Sequence, residues 1–306
     1  MTKVFPNPRT LRRQGEVLTS SQKTMIAITV VCLLVFYGLF FIFPICYAFV
    51  GSFHDWMPMK GKFEFVGLEN YLKVLKHSTT ATAMGNTLLF TVVVTAARTI
   101  LGLIFAVLIH EFNSAKALFR TVYFLPVVTS TVAVSVVWKW LFEPTNGPFN
   151  YYITAMGFPS QLFLKDAGSA LWCIMLMTIW KDMGYAMVVY MAGLTNISPS
   201  LYESASIDGS NRLQSFWYIT LPMLKSTTAF VLLTSFVSYC QTFTQIDLMT
   251  EGGPGKATYT MVYMLYQEAF SNYRFGRASA IAFLLFAVIF VVSLVQLRLN
   301  RSEGDR

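Results

Sequence analysis

Six strongly apolar segments, separated by more polar stretches, dominate the hydrophobic pattern of the chain. A hydrocarbon core about 30 Å thick is crossed by about 20 helical residues. Within lipid, a helix is the structure in which one segment satisfies all its own backbone N–H and C=O groups. The segments cover residues 24–50, 85–109, 119–142, 169–196, 227–249 and 278–297. This pattern predicts an all-α polytopic membrane protein with six transmembrane helices.

The membrane domain, residues 24–298, lies between a basic tail at 1–23 and a short tail at 299–306. The two tails and the loops after the second and fourth segments hold 12 Lys and Arg residues. The other three loops are longer in total and hold 8. Because basic residues concentrate in cytoplasmic loops, we predict that both termini and the loop after the fourth segment are cytoplasmic.

The composition agrees with a membrane protein. Charged residues make up 12% of the chain and hydrophobic residues 55%, whereas soluble domains carry about 25% charged residues. The net charge of +8 lies largely in tails and loops, so it does not indicate a nucleic-acid partner. The three histidines have no metal-site spacing, and we predict no metal. Cys32, Cys46, Cys173 and Cys240 lie in or beside apolar segments and are predicted to be buried small hydrophobic residues.

The first external loop, residues 51–84, is predicted to hold a short interfacial segment around residues 68–75. Another external loop contains Gly255-Lys256 in a glycine-rich stretch that is superficially similar to a nucleotide-binding P-loop. The match fails because Ala257 replaces the required Ser or Thr, Thr250 replaces the first Gly, and the loop is predicted to be external. We therefore expect this chain to have no ATPase site or other enzymatic site of its own.

The loop between the fourth and fifth segments, about residues 198–222, begins like a helix. Pro199 suits a first helical turn, and Ser200 and Glu203 have the spacing of a capping box. Gly209 is a natural helix stop.

A second short helix should follow in the same loop. We expect Ser210 to cap it, the helix to run to about Ile219, and Pro222 to turn the chain into the fifth segment. Ser204 and Ala205 in the first helix are small enough for a partner surface to approach closely. These residues alone leave two interpretations open, an ordinary interfacial loop and a docking site.

The spacing in this loop resembles the Glu-Ala-Ala loop of ABC-importer permeases. The places of that signature are held by Glu203, Ala205, Asp208, Gly209, Ile219, Leu221 and Pro222. Ser204 departs from the usual first alanine, which is a small-for-small exchange. Residues 119–126, 138–142, 147–150 and 251–258 also resemble segments of carbohydrate-type permeases. Together the resemblance covers about residues 24–299 and is to the first permease subunit of maltose- and glycerol-phosphate-type importers.

The resemblance implies a type I ABC-importer permease fold in the bacterial cytoplasmic (inner) membrane. The implied function is inward movement of an oligosaccharide or related sugar or polyol by alternating access. The implied partners are a second homologous permease chain, a dimer of ATP-binding subunits that hold ATP and magnesium, and an extracytoplasmic solute-binding protein. No cofactor is expected on this chain. The implied ATPase-docking residues are Tyr202, Glu203, Ser204, Ala205, Ile207, Asp208, Gly209, Leu221 and Pro222.

Ionisable residues inside predicted spans are functional candidates. Arg98 lies near the middle of the second span, and Lys181 and Asp182 lie near the middle of the fourth. Because Lys181 and Asp182 are adjacent, we do not expect them to face each other on a helix. Lys139 and Asp247 lie near outer ends of spans, where snorkelling to the membrane surface accounts for them.

Sugar sites combine aromatic faces with hydroxyl-binding polar groups, and the fifth span offers both. On a continuous helix, Tyr239 and Phe243 share a face, as do Gln241 and Gln245. The residues predicted to line a substrate cavity are Tyr239, Gln241, Phe243, Gln245, Asp247, Trp180, Lys181 and Asp182. Helix packing and an interfacial aromatic belt are the alternative explanations for the same residues.

Two other functions stay open at this stage. One is an ion-coupled secondary transporter with Arg98 and Asp182 in the coupling network. The other is a membrane assembly protein whose cytoplasmic loop recruits a partner. Secondary transporters tend to show inverted repeats and broken helices at mid-membrane. The sequence indicates neither feature, which favours the importer.

Overall fold

The computed structural model describes residues 19–111 and 116–304. The basic tail predicted at 1–23 lies outside these residues as far as position 18, and so do the side chains of the tail at 299–306. The chain divides into two units at Val50 and Gly51. The first unit contains most of helix α1 (Ser20–Ser52), which begins with a capping box between Thr19 and Gln22.

The second unit opens with a β-hairpin that the all-α prediction did not include. Strands β1 (His54–Met57) and β2 (Lys62–Phe65) pair antiparallel, with His54 opposite Phe65 and Met57 opposite Lys62. The aromatic residues of both strands favour this pairing. Gly61, at φ 61°, supplies the left-handed conformation that the turn requires.

The rest of the second unit is helical in the described residues. The helices are α2 (Glu69–Lys76), α3 (Ser78–Glu111), α4 (Lys116–Val128), α5 (Thr131–Leu141), α6 (Pro148–Ala155), α7 (Ala170–Thr195), α8 (Pro199–Ile207), α9 (Arg212–Met223), α10 (Lys225–Cys240), α11 (Thr244–Thr250), α12 (Met261–Tyr266) and α13 (Phe275–Gly304). Helix α2 lies where the sequence predicted a short interfacial segment, around residues 68–75.

Three helices in the described residues are long and apolar enough to cross a membrane: Ser20–Ser52, Ser78–His110 and Phe275–Arg298. The number rises to five if each of two bent helix pairs is counted as one span. These pairs are α4 with α5, bent by 93°, and α9 with α10, bent by 63°. Helix α7 occupies the fourth predicted segment with 26 residues. Lys181 and Asp182 at its centre reduce its apolarity.

The third and fifth predicted spans are broken, contrary to the continuous helices expected from the sequence. Helix α4 ends at Val128, after Pro126 has removed one backbone donor, and Ser130, at φ −59° and ψ 128°, is the N-cap of α5. The fifth segment is interrupted between α10 and α11, where the Thr242 N–H donates to Tyr239 O at 3.2 Å. The argument that broken helices are absent from this chain is therefore wrong.

Helix α7 is central to the second unit and packs against both α3 and α4. Two glycines make these approaches close. A Cβ atom at Gly184 would overlap the Tyr123 carbonyl of α4, and one at Gly102 of α3 would collide with Ala186. Small residues at such crossings let transmembrane helices pack tightly without a hydrophobic driving force.

The four cysteines divide into two groups. Cys173 and Cys240 are buried, as predicted, whereas Cys32 and Cys46 are exposed along α1. The burial prediction is wrong for the second pair because the apolar window of α1 has no buried residue. A small thiol is compatible with an apolar lipid environment.

Candidate functional site

Residues 198–222, here named the coupling loop, consist of α8, a turn at Gly209 and α9. The N-cap of α8 is Ser198, whose side chain makes no capping hydrogen bond, and Pro199 occupies the first turn. The predicted capping box of Ser200 and Glu203 is therefore wrong. Ser200 already lies inside α8, and its hydroxyl lies 2.8 Å from that of Ser198.

Gly209 ends α8 in the way the sequence predicts. Its φ is 80°, the left-handed conformation that glycine adopts without strain. The Ser210 N–H donates to Ala205 O at 2.9 Å, and the Gly209 N–H donates to Ser206 O at 3.2 Å. This pair of bonds is a Schellman motif, which satisfies carbonyls left open at a helix end.

Helix α9 starts and ends differently from the prediction. Its cap is Asn211 rather than Ser210, because Asn211 forms a capping box with Gln214. The helix passes through Pro222 to Met223, and the chain bends at Leu224, where φ is −85° and ψ is 4°. Proline is tolerated at 222 because it occupies the first turn of the α-helical segment that follows a π-helical turn.

The coupling loop is attached to the membrane helices along its inner side. The Tyr202 hydroxyl lies 2.9 Å from that of Thr220, which joins α8 to α9. Tyr202 and Ile219 pack against an apolar cluster that includes Leu194 of α7 and the bend residue Leu224.

The outer side of the loop is exposed. Ile207 is 87% exposed at the end of α8, and Glu203, Ser204, Asp208 and Gly209 are also exposed. Ala205 and Leu221 are partly buried, and Pro222 is exposed beside a groove of about 630 Å³.

Helix α9 adds three large exposed side chains that the motif-based prediction missed. Leu213 is 67% exposed, Trp217 56% and Tyr218 80%. Exposed apolar surface of this kind typically marks a protein or membrane contact. Their apolar character in a loop predicted to be cytoplasmic was the signal that could have identified them.

A cavity of about 230 Å³ lies between α5, α7 and the break between α10 and α11. Its lining is mostly polar, with two aromatic side chains. The lining residues are Thr131, Met177, Thr178, Lys181, Asp182, Ser238, Tyr239, Gln241, Thr242, Phe243, Thr244 and Gln245. The cavity therefore presents hydroxyl, amide, ammonium and carboxylate groups beside two ring faces.

A chain of hydrogen bonds leads from the cavity wall into the helix core. Arg98 Nη1 donates to Tyr239 OH and to Ser235 Oγ, each at 3.1 Å. The Tyr239 hydroxyl in turn donates to Asp182 Oδ2 at 3.1 Å. The Arg98 guanidinium also lies over the Tyr185 ring, 4.7 Å from its centroid. Arg98 is 7% exposed and does not line the cavity.

Lys181 connects the cavity to the end of α4. Its Nζ lies 3.4 Å from Asp182 Oδ1 and 3.4 Å from Val127 O. The expectation that these adjacent residues do not meet is therefore wrong, because the flexible lysine stem folds back toward the carboxylate. Val127 is in the last turn of α4, where a cation compensates carbonyls left unpaired by the break.

The structure brings together six of the eight residues predicted for the cavity and leaves two outside its lining. Trp180 instead packs on Trp138, with ring centroids 5.4 Å apart. Asp247 lies in α11, beyond the lining residues. The predicted face-sharing is also wrong, because the helix is interrupted between Tyr239 and Phe243. The interruption itself brings Gln241 and Gln245 to the cavity.

Lys139 makes a local contact that the sequence did not predict. Its Nζ donates to Leu248 O at 2.9 Å, near the C-terminal end of α11. This bond ties α5 to α11 across the broken spans and stabilises the exposed end of a short helix.

The glycine-rich stretch that was rejected as a P-loop, residues 251–259, lies against α3 and is here called the strap. The Asn86 side-chain amide donates to Ala257 O at 2.9 Å and to Tyr259 O at 3.0 Å. Lys256 Nζ donates to Thr79 Oγ1 at 2.8 Å. Burial raises the pKa of the Tyr259 phenol above its ordinary value.

Within residues 19–111 and 116–304, no group of three or more His, Cys, Asp or Glu residues is arranged to hold a metal ion.

Residues 98–303 match the family described as the binding-protein-dependent transport system inner membrane component. The chain belongs to this family. As a permease of this family it is an inner-membrane component of a transport system. This confirms the resemblance to ABC-importer permeases and does not favour the secondary transporter or the assembly protein.

Relatives of this permease agree with the assignment. A probable ABC transporter permease protein of Pyrococcus horikoshii is 31% identical over 275 residues, covering 89% of this chain and 94% of the relative. The arabinooligosaccharides transport system permease protein AraP of Bacillus subtilis is 32% identical over 266 residues, covering 86% and 84%.

A solved structure shows the same fold. It is a bacterial alginate ABC transporter in complex with an alginate pentasaccharide-bound periplasmic protein. The match has a TM-score of 0.82 and 21% sequence identity, and it covers 92% of this chain and 96% of that chain. The fold of this permease is therefore that of an ABC-importer permease.

Proposed function

We propose that this permease moves an oligosaccharide or related sugar or polyol inward as part of an ATP-driven importer. Family membership is the observation that carries the proposal. The lining of the cavity supports the choice of substrate, because hydroxyl groups of a sugar need both donors and acceptors. Lys181 donates, Asp182 accepts, and Gln241 and Gln245 do both. AraP is named for transport of arabinooligosaccharides, and the relative MsmF of Streptococcus mutans belongs to a multiple sugar-binding transport system.

The aromatic residues of the cavity fit the same substrate class. Tyr239 and Phe243 present ring faces on which the apolar face of a sugar ring packs. The cavity volume of about 230 Å³ admits a small part of an oligosaccharide at one time. The residues proposed to contact substrate are Tyr239, Gln241, Phe243, Gln245, Lys181 and Asp182.

The coupling loop is the proposed docking site of the ATP-binding subunit. The supporting geometry is an exposed helix end at Ile207 and Asp208, held at a fixed angle by the Schellman turn and by the Tyr202–Thr220 bond. Leu213, Trp217 and Tyr218 of α9 extend the proposed contact surface. ATP and magnesium belong to the partner subunits in this arrangement.

Helix α10 is the proposed link between the docking site and the cavity. It starts at Lys225, directly after the bend at Leu224, and ends at Cys240 beside the cavity residue Tyr239. Its 16 residues span about 24 Å. A displacement of α8 and α9 by the ATP-binding subunits would therefore be transmitted to the cavity by α10 as a single rigid helix. Such a displacement would accompany the switch of the permease between two conformational states.

The complete transporter would include a second homologous permease chain and an extracytoplasmic solute-binding protein. In this arrangement both termini and the coupling loop face the cytoplasm, and the β-hairpin faces outside. Lys and Arg counts in the loops support this orientation.

The energy source of uptake tests the proposal. Cells that express the complete complex should accumulate a labelled oligosaccharide from a panel, and accumulation should stop when ATP is depleted. It should persist when a protonophore dissipates the proton gradient. The reverse pattern would indicate an ion-coupled transporter. Normal uptake of every sugar in the panel after deletion of this chain would indicate an assembly protein.

A further inference from the structure

Helix α2 has an inner face that ties the β-hairpin to the helices. Asn70 and Val74 are buried on this face. The Asn70 side-chain amide donates to Ser52 O at 2.9 Å and to His54 O at 2.8 Å. Because Asn70 satisfies these two carbonyls, α2 holds a fixed position beside the hairpin.

The rest of α2 divides into an apolar face and a charged face. The apolar face consists of the N-cap residue Leu68 and the helix residues Leu72 and Leu75, which recur at helical spacing and are 62%, 53% and 61% exposed. The charged face follows the same spacing. Its members Lys73 and Glu69 form an ion pair at 2.6 Å.

The packing of the inner face determines the level of α2 along the neighbouring long helices. Val74 belongs to the same apolar cluster as Ala83 of α3 and Ile281 of α13. Ile281 lies three residues inside the apolar segment 278–297, and Ala83 lies two residues outside the segment 85–109. At 1.5 Å of rise per residue, Ala83 and Ile281 lie within about 5 Å of the level at which the hydrocarbon begins, and Leu285 of the same cluster lies about 10 Å inside it.

We propose that α2 binds the outer leaflet of the bilayer, with Leu68, Leu72 and Leu75 among the acyl chains. A helix with an exposed apolar face at this depth resembles interfacial helices, which insert that face about 5–10 Å into the headgroup boundary. The ammonium groups of Lys73 and Lys76 are then beside the lipid phosphates. One residue, His77, separates α2 from the membrane-spanning helix α3, so the membrane contact of α3 continues into α2.

Lipid binding by α2 would hold the outer ends of α3 and α13 at the membrane surface. Helix α13 packs against both α2 and β1. At Gly276 the approach is so close that a Cβ atom would overlap the His54 carbonyl. The hairpin, α2 and the start of α13 therefore form one surface element, and lipid binding by α2 fixes its height.

Spin-label accessibility tests the proposal on the complete complex in vesicles of phosphatidylethanolamine and phosphatidylglycerol. Single cysteines are introduced at Leu68, Leu72 and Leu75, with Glu69→Cys and Lys73→Cys as controls on the charged face. The four native cysteines are replaced by alanine. Molecular oxygen concentrates in the bilayer, whereas a nickel chelate stays in water. The ratio of oxygen to nickel accessibility should be several-fold higher at the three leucine positions than at the controls.

Three leucine positions report independently, so one variant that fails to assemble leaves the other two readable. ATPase activity stimulated by the solute-binding protein shows which labelled complexes are intact. Equal nickel accessibility on both faces of α2 would overturn the proposal. Protection of the leucine positions that arises only when the solute-binding protein is added would also overturn it, and would identify a protein-docking surface instead.

Discussion

A single phenol at Tyr239 connects a buried charge, Arg98, to a partly buried charge, Asp182, on a different helix. Its oxygen accepts from Arg98 of α3 and donates to Asp182 of α7, both at 3.1 Å. Burial makes each of these bonds important, because an unpaired charge away from water is costly. Tyr239 also lines the cavity. A substitution there therefore changes both the hydrogen bonds to Arg98 and Asp182 and the wall of the cavity.

Replacing Tyr239 by Phe should weaken substrate handling more than folding. The variant keeps the ring but leaves Asp182 Oδ2 without the Tyr239 donor, and because the Asp182 side chain is 25% exposed the cost is about 1 kcal/mol. We expect a higher KM for uptake. Tyr190→Phe is the matched control, since its hydroxyl donates to Thr228 Oγ1 at 3.1 Å in another cluster. The control should lower the melting temperature of the complex and leave KM unchanged. Equal KM changes in both variants would contradict a role of Tyr239 in the cavity.

Gly209→Ala should uncouple ATP hydrolysis from substrate. No atom lies within 4 Å of the added Cβ, so the penalty arises from the φ of 80° alone, about 1–2 kcal/mol. Relaxation of that strain changes the angle between α8 and α9. We expect ATPase activity to lose its stimulation by the loaded solute-binding protein. Gly157→Ala, at φ 86° with equally open surroundings, is the control and should keep the stimulation. Full stimulation in both variants would argue against docking at the coupling loop.

Among the elements, α7 combines close packing with the polar wall of the cavity. Gly184 contacts the α4 backbone, and three residues earlier Lys181 reaches Val127 O in the last turn of α4. A helix end inside an apolar region needs protein partners for its carbonyls, and the Lys181 ammonium supplies one for Val127 O. The position of α4 and the position of the Lys181 ammonium are therefore linked.

Gly184→Ala should separate α7 from α4 and lower the yield of folded complex. The added Cβ would overlap the Tyr123 carbonyl, which is backbone and cannot rotate away. Overpacking of this kind costs about 1–3 kcal/mol. Gly85→Ala in α3 is the control, because no neighbour lies within 4 Å of its Cβ. It should match the wild type or gain slightly in melting temperature. A Gly184→Ala complex as stable as the control would show that this approach relaxes easily.

The sequence predicts where helices lie better than where they break. Residues 227–249 contain neither Gly nor Pro, and the polar run from Gln241 to Gln245 is also compatible with the polar face of a continuous helix, so the local pattern does not mark the break. Pro126 was visible in the third segment, but a proline can also kink a continuous helix. Six cavity residues were predicted correctly from the chemistry of their side chains. The prediction that they share faces of one continuous helix was wrong, because the helix is interrupted. The partners of Arg98 depend on tertiary contacts with α10.

At the scale of the whole molecule, the orientation in the membrane determines which surface meets ATP. Cysteine labelling tests it. In whole cells, an impermeant maleimide should label Lys60→Cys in the hairpin, which would be external. It should not label Asp208→Cys until the membrane is permeabilised. Cys32 and Cys46 are replaced first, because both are exposed on α1. Labelling of Asp208→Cys in intact cells would place the coupling loop outside.

Helix α3 has 34 residues, about 50 Å of continuous helix. The hydrocarbon core is about 30 Å thick, so up to about 20 Å of α3 lies beyond it if the helix stands upright. At one end, Asn86 holds the strap of residues 251–259. At the other, Val107 and His110 line a cavity with Tyr202 of the coupling loop. A single rod longer than the bilayer is thick therefore reaches both aqueous faces, and a change in its tilt would move structures on both sides of the membrane at once.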